Sequence, residues 1–402
     1  MNCIIVGGGP AGMMTGYLLA RGGVAVTVLE KHADFFRDFR GDTVHPSTLE
    51  ILHELGVLED FLEIPHSKVR KLTGQIGTTT LTLGDFSHLP THTKFLVFMP
   101  QWDFLNFLAE KARRYAAFHL EMSSEVTGLV FDANRVAGVR VKTQTGEREM
   151  RADLVVAADG RDSRARDEAG LDTIDFGSPM DALWMRLSKE PSDPDQLFGR
   201  IDFGRVFVML DRGDYWQCAL VIAKGGFDDV KKRGIDAFRS DLVQMNPFLE
   251  DRVEEIRGWD DVKLLTVQVN RLRQWYRDGL LCIGDAAHAM SPIGGVGINL
   301  AIQDAVAAAN ILIPEFKRGQ PISTDVLRKV QDRRELPTRI VQRVQVVIQN
   351  NVISRVLGSK GRMKPPLVVR LLGAVPYLQR IPARLVGLGY RREHVAVKAS
   401  AS

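Results

Sequence analysis

Cysteine is scarce in this 402-residue chain, with three in all. Cys3, Cys218 and Cys282 each sit inside an apolar, strand-like run and show no C-x-x-C or metal-ligand spacing. That excludes a disulfide framework and a zinc site, and points to buried thiols in a reducing cytoplasm. The nine histidines are scattered without ligand spacing, so no metal centre is expected. No apolar run reaches the ~18 residues of a membrane span; the closest, Ile298 to Ile313, is broken by Gln303 and Asp304. Asn2 to Val6 leaves no room before it for a secretory leader. No internal repeat is evident, and nothing specifies an oligomer.

Charge is unevenly spread. Lys317 to Ser402 holds 18 Lys/Arg against 4 Asp/Glu, whereas the rest of the chain is net acidic. The basic end reads either as a solvated helical face against an acidic body or as a surface that docks on an anionic membrane. Nucleic acid is not the expected partner, because no stacking aromatics interleave with the charges.

What is present is a set of glycine turns at the ends of apolar strands. Asn2 to Val6 runs into Gly7-Gly8-Gly9-Pro10-Ala11-Gly12 and a helical stretch, and a second strand, Val24 to Leu29, ends at Glu30. This is G-x-G-x-x-G between strand and helix, with an acid about 20 residues later. Gly7 allows the tight turn, Gly9 lets a pyrophosphate approach, and Gly12 lets helix and strand pack. Glu30 is placed to accept from ribose hydroxyls. A second segment, Leu280 to Leu312, runs from a strand into Gly284-Asp285. It continues through a loop with Pro292, Gly294, Gly295 and Gly297 to an alanine-rich helix near Asn299. Bare N–H groups at that helix start, among Gly297, Ile298 and Asn299, suit a planar ring that gains negative charge on reduction, such as a flavin. A third segment, Asp153 to Arg166, carries Asp159-Gly160, Ser163 and Arg166 in the pattern D-G-x-x-S-x-x-R.

With these three segments in this order, residues 1 to about 335 resemble the class A flavoprotein monooxygenases, the family of para-hydroxybenzoate hydroxylase and the ubiquinone-pathway hydroxylases. The resemblance implies an α/β fold, a discontinuous Rossmann-like FAD-binding domain with an inserted, mainly antiparallel β-sheet substrate domain and a C-terminal helical region. The expected boundaries are 1–70, 99–175 and 277–325 for the FAD domain, 71–98 and 176–276 for the sheet, and 326–402 for the helical, basic region. It implies that Gly7, Gly9, Ala11, Gly12 and Glu30 hold the ADP half of FAD. Arg40 matches the family arginine near the pyrophosphate, and Gln101 the residue that bonds the ribityl chain. Asp285 takes the ribityl and pyrophosphate side, while Asp159, Gly160 and Arg166 share FAD and NAD(P)H binding.

The implied activity is that of an FAD-dependent monooxygenase, with NADH or NADPH as co-substrate. Reduction by NAD(P)H and addition of molecular oxygen would give a flavin hydroperoxide, whose distal oxygen passes to an aromatic or other electron-rich substrate. Pro292, Gly294 and Gly295 would line the reactive flavin edge, with Gly295, Gly297, Ile298 and Asn299 against the ring. His45, Tyr215 and His288 are candidate bases with no partner identifiable in sequence, and no catalytic base is assigned. The substrate face is expected to draw on some of Trp184, Met185, Arg186, Phe207, Met209, Tyr215 and Trp216. Alternatives within the fold are a lipophilic quinone precursor handled at a membrane surface, a flavin-dependent reductase, or a halogenase. The G-W-x-W-x-I-P segment typical of halogenases is missing; Gly258-Trp259-Asp260 is only a fragment of it. The inserted sheet and the chain after about Asp325 match no family motif.

Overall fold

The computed structural model describes residues 1–36, 43–194, 197–359 and 361–397. The β-branched run Asn2–Val6 lies at the centre of a six-stranded sheet. Its order is Tyr276–Arg277, Leu280–Cys282, Leu154–Ala157, Asn2–Val6, Ala25–Leu29, Phe118–Glu121, parallel throughout except for the first pair. Parallel strands need cover on both faces, and their sequences are accordingly apolar on both. One face meets the Pro10–Arg21 helix, which begins with proline at its first position, where no N–H is needed. That helix packs on Gly297–Arg318, with Met13, Met14, Tyr17 and Leu18 sharing a core with Ile302, Ala305, Val306 and Leu312. The other face is covered by the antiparallel strands Glu125–Asp132, Arg135–Thr143 and Gly146–Arg151.

The segment Ile293–Arg318 is long and apolar enough by composition to cross a membrane, but 83% of its most apolar window is buried in the protein. It is a core helix here. All three cysteines are buried thiols in strands, and burial raises each thiol pKa far above its ordinary range.

A second sheet has seven strands, in the order Lys263–Leu265, Met180–Ser188, Tyr215–Ala223, Arg205–Asp211, Leu197–Asp202, Lys71–Ile76, Thr79–Asp85. Only the Leu197–Asp202/Lys71–Ile76 pair is parallel. Two chain segments far apart in sequence therefore build one sheet. Its back face is sealed by the helices Phe227–Lys232 and Ile235–Met245, separated at Gly234 with φ +88. Sequence periodicity suggests one continuous helix there; the left-handed glycine divides it.

The C-terminal region differs more. Thr324–Ile348 runs unbroken through Pro337, where the sequence suggests a break. Proline forfeits a single bond to the carbonyl four residues back. Buried contacts on both sides, from Leu327 and Val330 to Val341, hold the axis together. The shorter helices Leu367–Ala374 and Arg380–Gly387 then pack on the edge strand Thr79–Asp85. The last described residues return to the first half of the chain, where Val395 and His394 meet Glu54, and Arg21 meets the carbonyl of Val397.

Candidate flavin and substrate site

The three glycine segments lie at the carboxyl ends of neighbouring parallel strands. At about 4.8 Å per strand, that places them within about 15 Å of one another. Gly7 has φ +102, and a Cβ there would lie 2.5 Å from the carbonyl of Ala158. A Cβ on Gly12 would lie 1.9 Å from the carbonyl of Gly7. Both glycines are fixed by packing. Gly9 differs, since no atom lies within 4 Å of its Cβ position. It presents bare backbone to an open cradle at a helix start, which is where a pyrophosphate sits in such turns. Glu30 accepts from the N–H of Gly8 at 2.9 Å and of His32 at 3.1 Å. A carboxylate oriented at a strand end is an acceptor of the kind that sugar hydroxyls need. Ala11 is buried and lies against Gly284, joining two of the turns.

In the second turn Asp159 accepts from the Ser163 hydroxyl at 2.5 Å and the Ala165 N–H at 3.2 Å. Burial raises its pKa, against the pull of those bonds. Ser163 caps the following helix by accepting from the Arg166 N–H at 3.1 Å. Arg166 is buried and donates to the Arg161 carbonyl at 2.9 Å and to Asp167. Asp159 and Arg166 thus shape the turn, while Gly160, at φ +89 with nothing near its Cβ position, opens on the site. Arg161 was not legible in the motif, which leaves its position variable. It reaches Asp285 at 3.1 Å, linking the second and third turns.

Asp285 is half-buried in the Gly284–Ala286 turn. Behind it, Asp304 is fully buried, accepting from Gly284 N–H at 3.1 Å, His288 Nε2 at 2.6 Å and Arg334 Nε at 2.9 Å. Burial alone would raise the Asp304 pKa, but His288 and Arg334 outweigh it and hold the carboxyl below its usual range. In the sequence Asp304 is marked only as an interruption of an apolar helix. The available signal was a lone carboxylate inside an alanine-rich core helix, which needs partners to be tolerated.

At the start of Gly297–Arg318, Gly297 has open space where a side chain would be, and the first N–H groups of a helix lack intrahelical partners. Ile298 and Asn299 are buried in that first turn. The Asn299 side chain turns away, accepting from His45 N–H at 3.0 Å and the Thr48 hydroxyl at 2.6 Å. Gly294 and Gly295 have φ +80 and +62, and a Cβ on Gly295 would lie 3.0 Å from the Thr43 hydroxyl. Pro292 closes the turn by accepting from Gly295 N–H at 3.0 Å. Gln101 stands half-buried at the first position of Gln101–Ala112. Arg40 lies outside the described residues.

The candidate bases fare differently. His45 is fully buried, with Nδ1 2.7 Å from the Val386 carbonyl and Nε2 3.1 Å from that of Gly295. Burial pushes its pKa down to about 4. Both ring nitrogens face main-chain carbonyls, which leaves neither for a substrate proton. His288 is committed to Asp304 and lies beside Trp275. Tyr215 stacks under the Arg186 guanidinium at 3.8 Å, near a strand end.

Strand alternation divides the residues expected at the substrate face between the two sides of the sheet. Met185, Phe207, Met209 and Trp216 are packed on the back of the seven-stranded sheet beneath Phe238 and Leu242. The front carries Trp184, Val208 and Leu210 in one cluster with Phe86, Leu96 and Val386, and Val206 and Val221 in another with Ile293 of the glycine loop. Successive residues point to opposite faces, so an apolar stretch by itself does not say which side it serves. Among the described residues no group of three or more His, Cys, Asp or Glu could hold a metal. The open backbone at Gly9, Gly160 and Gly297, with Glu30 and Asp285 beside it, fits FAD.

Comparison with known proteins agrees with that fit. The family described as FAD binding domain matches residues 1–344. The 6-methylpretetramide 4-monooxygenase of Streptomyces rimosus is 33% identical over 387 residues, 95% of this chain and 91% of that protein. Rifampicin monooxygenase of Streptomyces venezuelae is 29% identical over 76% of this chain, which spans 62% of that longer protein. The crystal structure of p-nitrophenol 4-monooxygenase from Pseudomonas putida superposes with a TM-score of 0.77 at 20% identity, over 97% of this chain and 98% of that one.

Proposed function

This chain belongs to the FAD binding domain family of flavin-dependent aromatic monooxygenases, and from that premise we propose that it hydroxylates a polycyclic phenol. It is an FAD enzyme that takes electrons from NAD(P)H and uses molecular oxygen. The proposal of a polycyclic substrate rests on the apolar front of the seven-stranded sheet, where Val206 and Val221 share a cluster with Ile293 of the glycine loop and the half-buried Trp184 and Val208 lie in a second apolar cluster. A flat fused-ring molecule matches such a surface better than a small charged one. Near-complete mutual coverage with a relative named for 6-methylpretetramide supports the same class.

Bound FAD supplies hydride acceptance from NAD(P)H and oxygen activation. The chain supplies the rest. Main-chain N–H groups of Gly297 to Asn299, at a helix N-terminus, offset negative charge on the reduced ring. Glu30 orients the ribose, and Gly9 gives the pyrophosphate its approach. Arg161 and Asp285 hold the polar edge of the site together, while Gly160 leaves space beside it. Ile293, packed on the sheet front, keeps water from the space between loop and substrate. His45 acts here through the loop it touches rather than as a base.

The direct test is purification with FAD, followed by NADH and NADPH oxidation with a tetracyclic phenol and with para-nitrophenol, under air and under argon. Oxygen-dependent hydroxylation of the tetracycle, at a kcat/KM at least tenfold above the nitrophenol, is expected. Equal product under argon overturns the monooxygenase reading. Preference for the nitrophenol overturns only the substrate class.

A second reading concerns location. From Leu336 to Arg392 there are 11 Lys/Arg and no Asp/Glu, and Leu367, Leu371, Tyr377 and Ile381 stand exposed among them. We propose that this surface docks on anionic lipid, since a second copy would bring like charge against it. Flotation with phosphatidylglycerol vesicles, lost in Leu367→Ser/Ile381→Ser, is the expected outcome; no flotation of wild type rejects the docking.

A further inference from the structure

The loop that lines the flavin edge has little internal bonding, and its shape is set from outside by one face of the Thr324–Ile348 helix and its continuation. Four buried glutamines line that face. Gln331 Nε2 donates to the Arg273 carbonyl at 2.9 Å. Gln342 Nε2 donates to the carbonyls of Asn270 at 2.7 Å and Ala289 at 3.1 Å. Gln349 reaches the Ser178 hydroxyl at 2.9 Å. Gln345 is the one that grips the loop itself. Its Nε2 donates to the carbonyls of Ser291 at 2.9 Å and Ile293 at 2.8 Å, on either side of Pro292.

We propose that Gln345 is a positioning residue that fixes the flavin-edge loop against the isoalloxazine site; this rests on the FAD reading above. The Gln345 side chain is 3% exposed, so solvent cannot readily replace the amide, and two carbonyls would be stranded by its loss. The loop's two left-handed glycines, Gly294 and Gly295, give it many alternative shapes once released. Two residues further on, the carbonyl of Gly295 is met by His45. The loop is thereby held from two sides, and Ile293 presses it on the substrate sheet. Nothing in a family motif marks Gln345, because its partners are main-chain carbonyls, which any residue type supplies.

The test uses full-length protein and two matched variants, Gln345→Met and Gln342→Met. Both remove an amide of similar volume from the same helix face, but only the first frees the loop. FAD affinity is read by titrating apoprotein with FAD, and amide hydrogen exchange over residues 291–297, beyond the Ala289 carbonyl that Gln342 holds, reports the loop. Gln345→Met should weaken FAD about tenfold and speed loop exchange about tenfold, the order expected when two hydrogen bonds are lost. Gln342→Met should lower the melting temperature yet bind FAD within about twofold of wild type. Should Gln345→Met not fold, Gln345→Glu serves instead. A protonated carboxyl can donate one bond where a carboxylate donates none, so its FAD affinity should recover in part on lowering the pH from 8 to 5 while that of wild type does not rise. Wild-type FAD affinity and exchange in Gln345→Met, equal weakening in both methionine variants, or a pH-independent defect in the glutamate variant would each overturn the proposal. A wild-type protein that binds no FAD overturns the functional reading instead.

Discussion

The flavin side and the substrate side of this enzyme are built on opposite principles. On the proposed flavin side bare backbone lines the site beside the carboxylates of Glu30 and Asp285: Gly9, Gly160 and Gly297 leave their Cβ directions empty. On the proposed substrate side, side chains of a two-faced sheet make the surface, with Trp184 and Val208 on one face and Met185 and Phe207 on the other. A site made by missing side chains leaves a mark in sequence, because only glycine satisfies it. A site made by ordinary apolar residues does not.

The sharpest way to break this contrast is within the first turn. Gly12→Ala and Gly9→Val both add bulk to one motif, yet the account separates them. Gly12→Ala drives a methyl into the Gly7 carbonyl and should destabilise the apoprotein by about 3 kcal/mol or prevent folding. Gly9→Val meets open space, so the apoprotein should melt within a few degrees of wild type while FAD affinity falls about a hundredfold. Urea melts and FAD titration distinguish them, and equal loss of stability in both would erase the distinction.

The next largest effect probes the sheet. Met185→Ala should cost about 2–5 kcal/mol by opening a cavity in the back core, with KM unchanged. Trp184→Ala should raise KM for the tetracyclic substrate by about tenfold with a smaller loss of stability. The reverse pattern would mean that the sheet presents its other face.

The third concerns the join between the turns. Arg161→Ala should weaken FAD by less than tenfold, since both members of its pair with Asp285 are partly exposed and such pairs are worth little. No change in FAD affinity would remove Arg161 from the site.

The smallest is a pH effect. The folded pKa of His45 is depressed from an ordinary 6.5 to about 4, so the unfolded chain binds the extra proton first as pH falls. Stability from keeping His45 neutral is complete above 6.5 and drains as pH drops toward 4. His45→Gln should flatten that decline by up to about one proton, measured as the slope of unfolding free energy against pH. An unchanged slope would show that His45 does not titrate this way.

The same contrast explains what was legible. The tight turn at Gly7 and the close packing at Gly12 were legible from spacing, because both restrict residue type to glycine. The parallel core and the inserted sheet followed from the order of those segments. Arg161 could not be found, since its motif position tolerates many residues. Asp304 and Gln345 were hidden for another reason: each acts on backbone from a helix that packs there only in three dimensions. Pro337 misled because local propensity lost to tertiary contacts. The expected aromatic face mixed both sides of the sheet, as any reading must that lacks the register.

The central claim, that this chain transfers one atom of molecular oxygen to an aromatic ring, is tested most directly by isotope labelling. Purified holoenzyme is supplied with NAD(P)H and a tetracyclic phenol under ¹⁸O₂ in ordinary water, and the product is weighed by mass spectrometry. The account predicts one ¹⁸O in each hydroxylated product. Product carrying oxygen from water alone would contradict it.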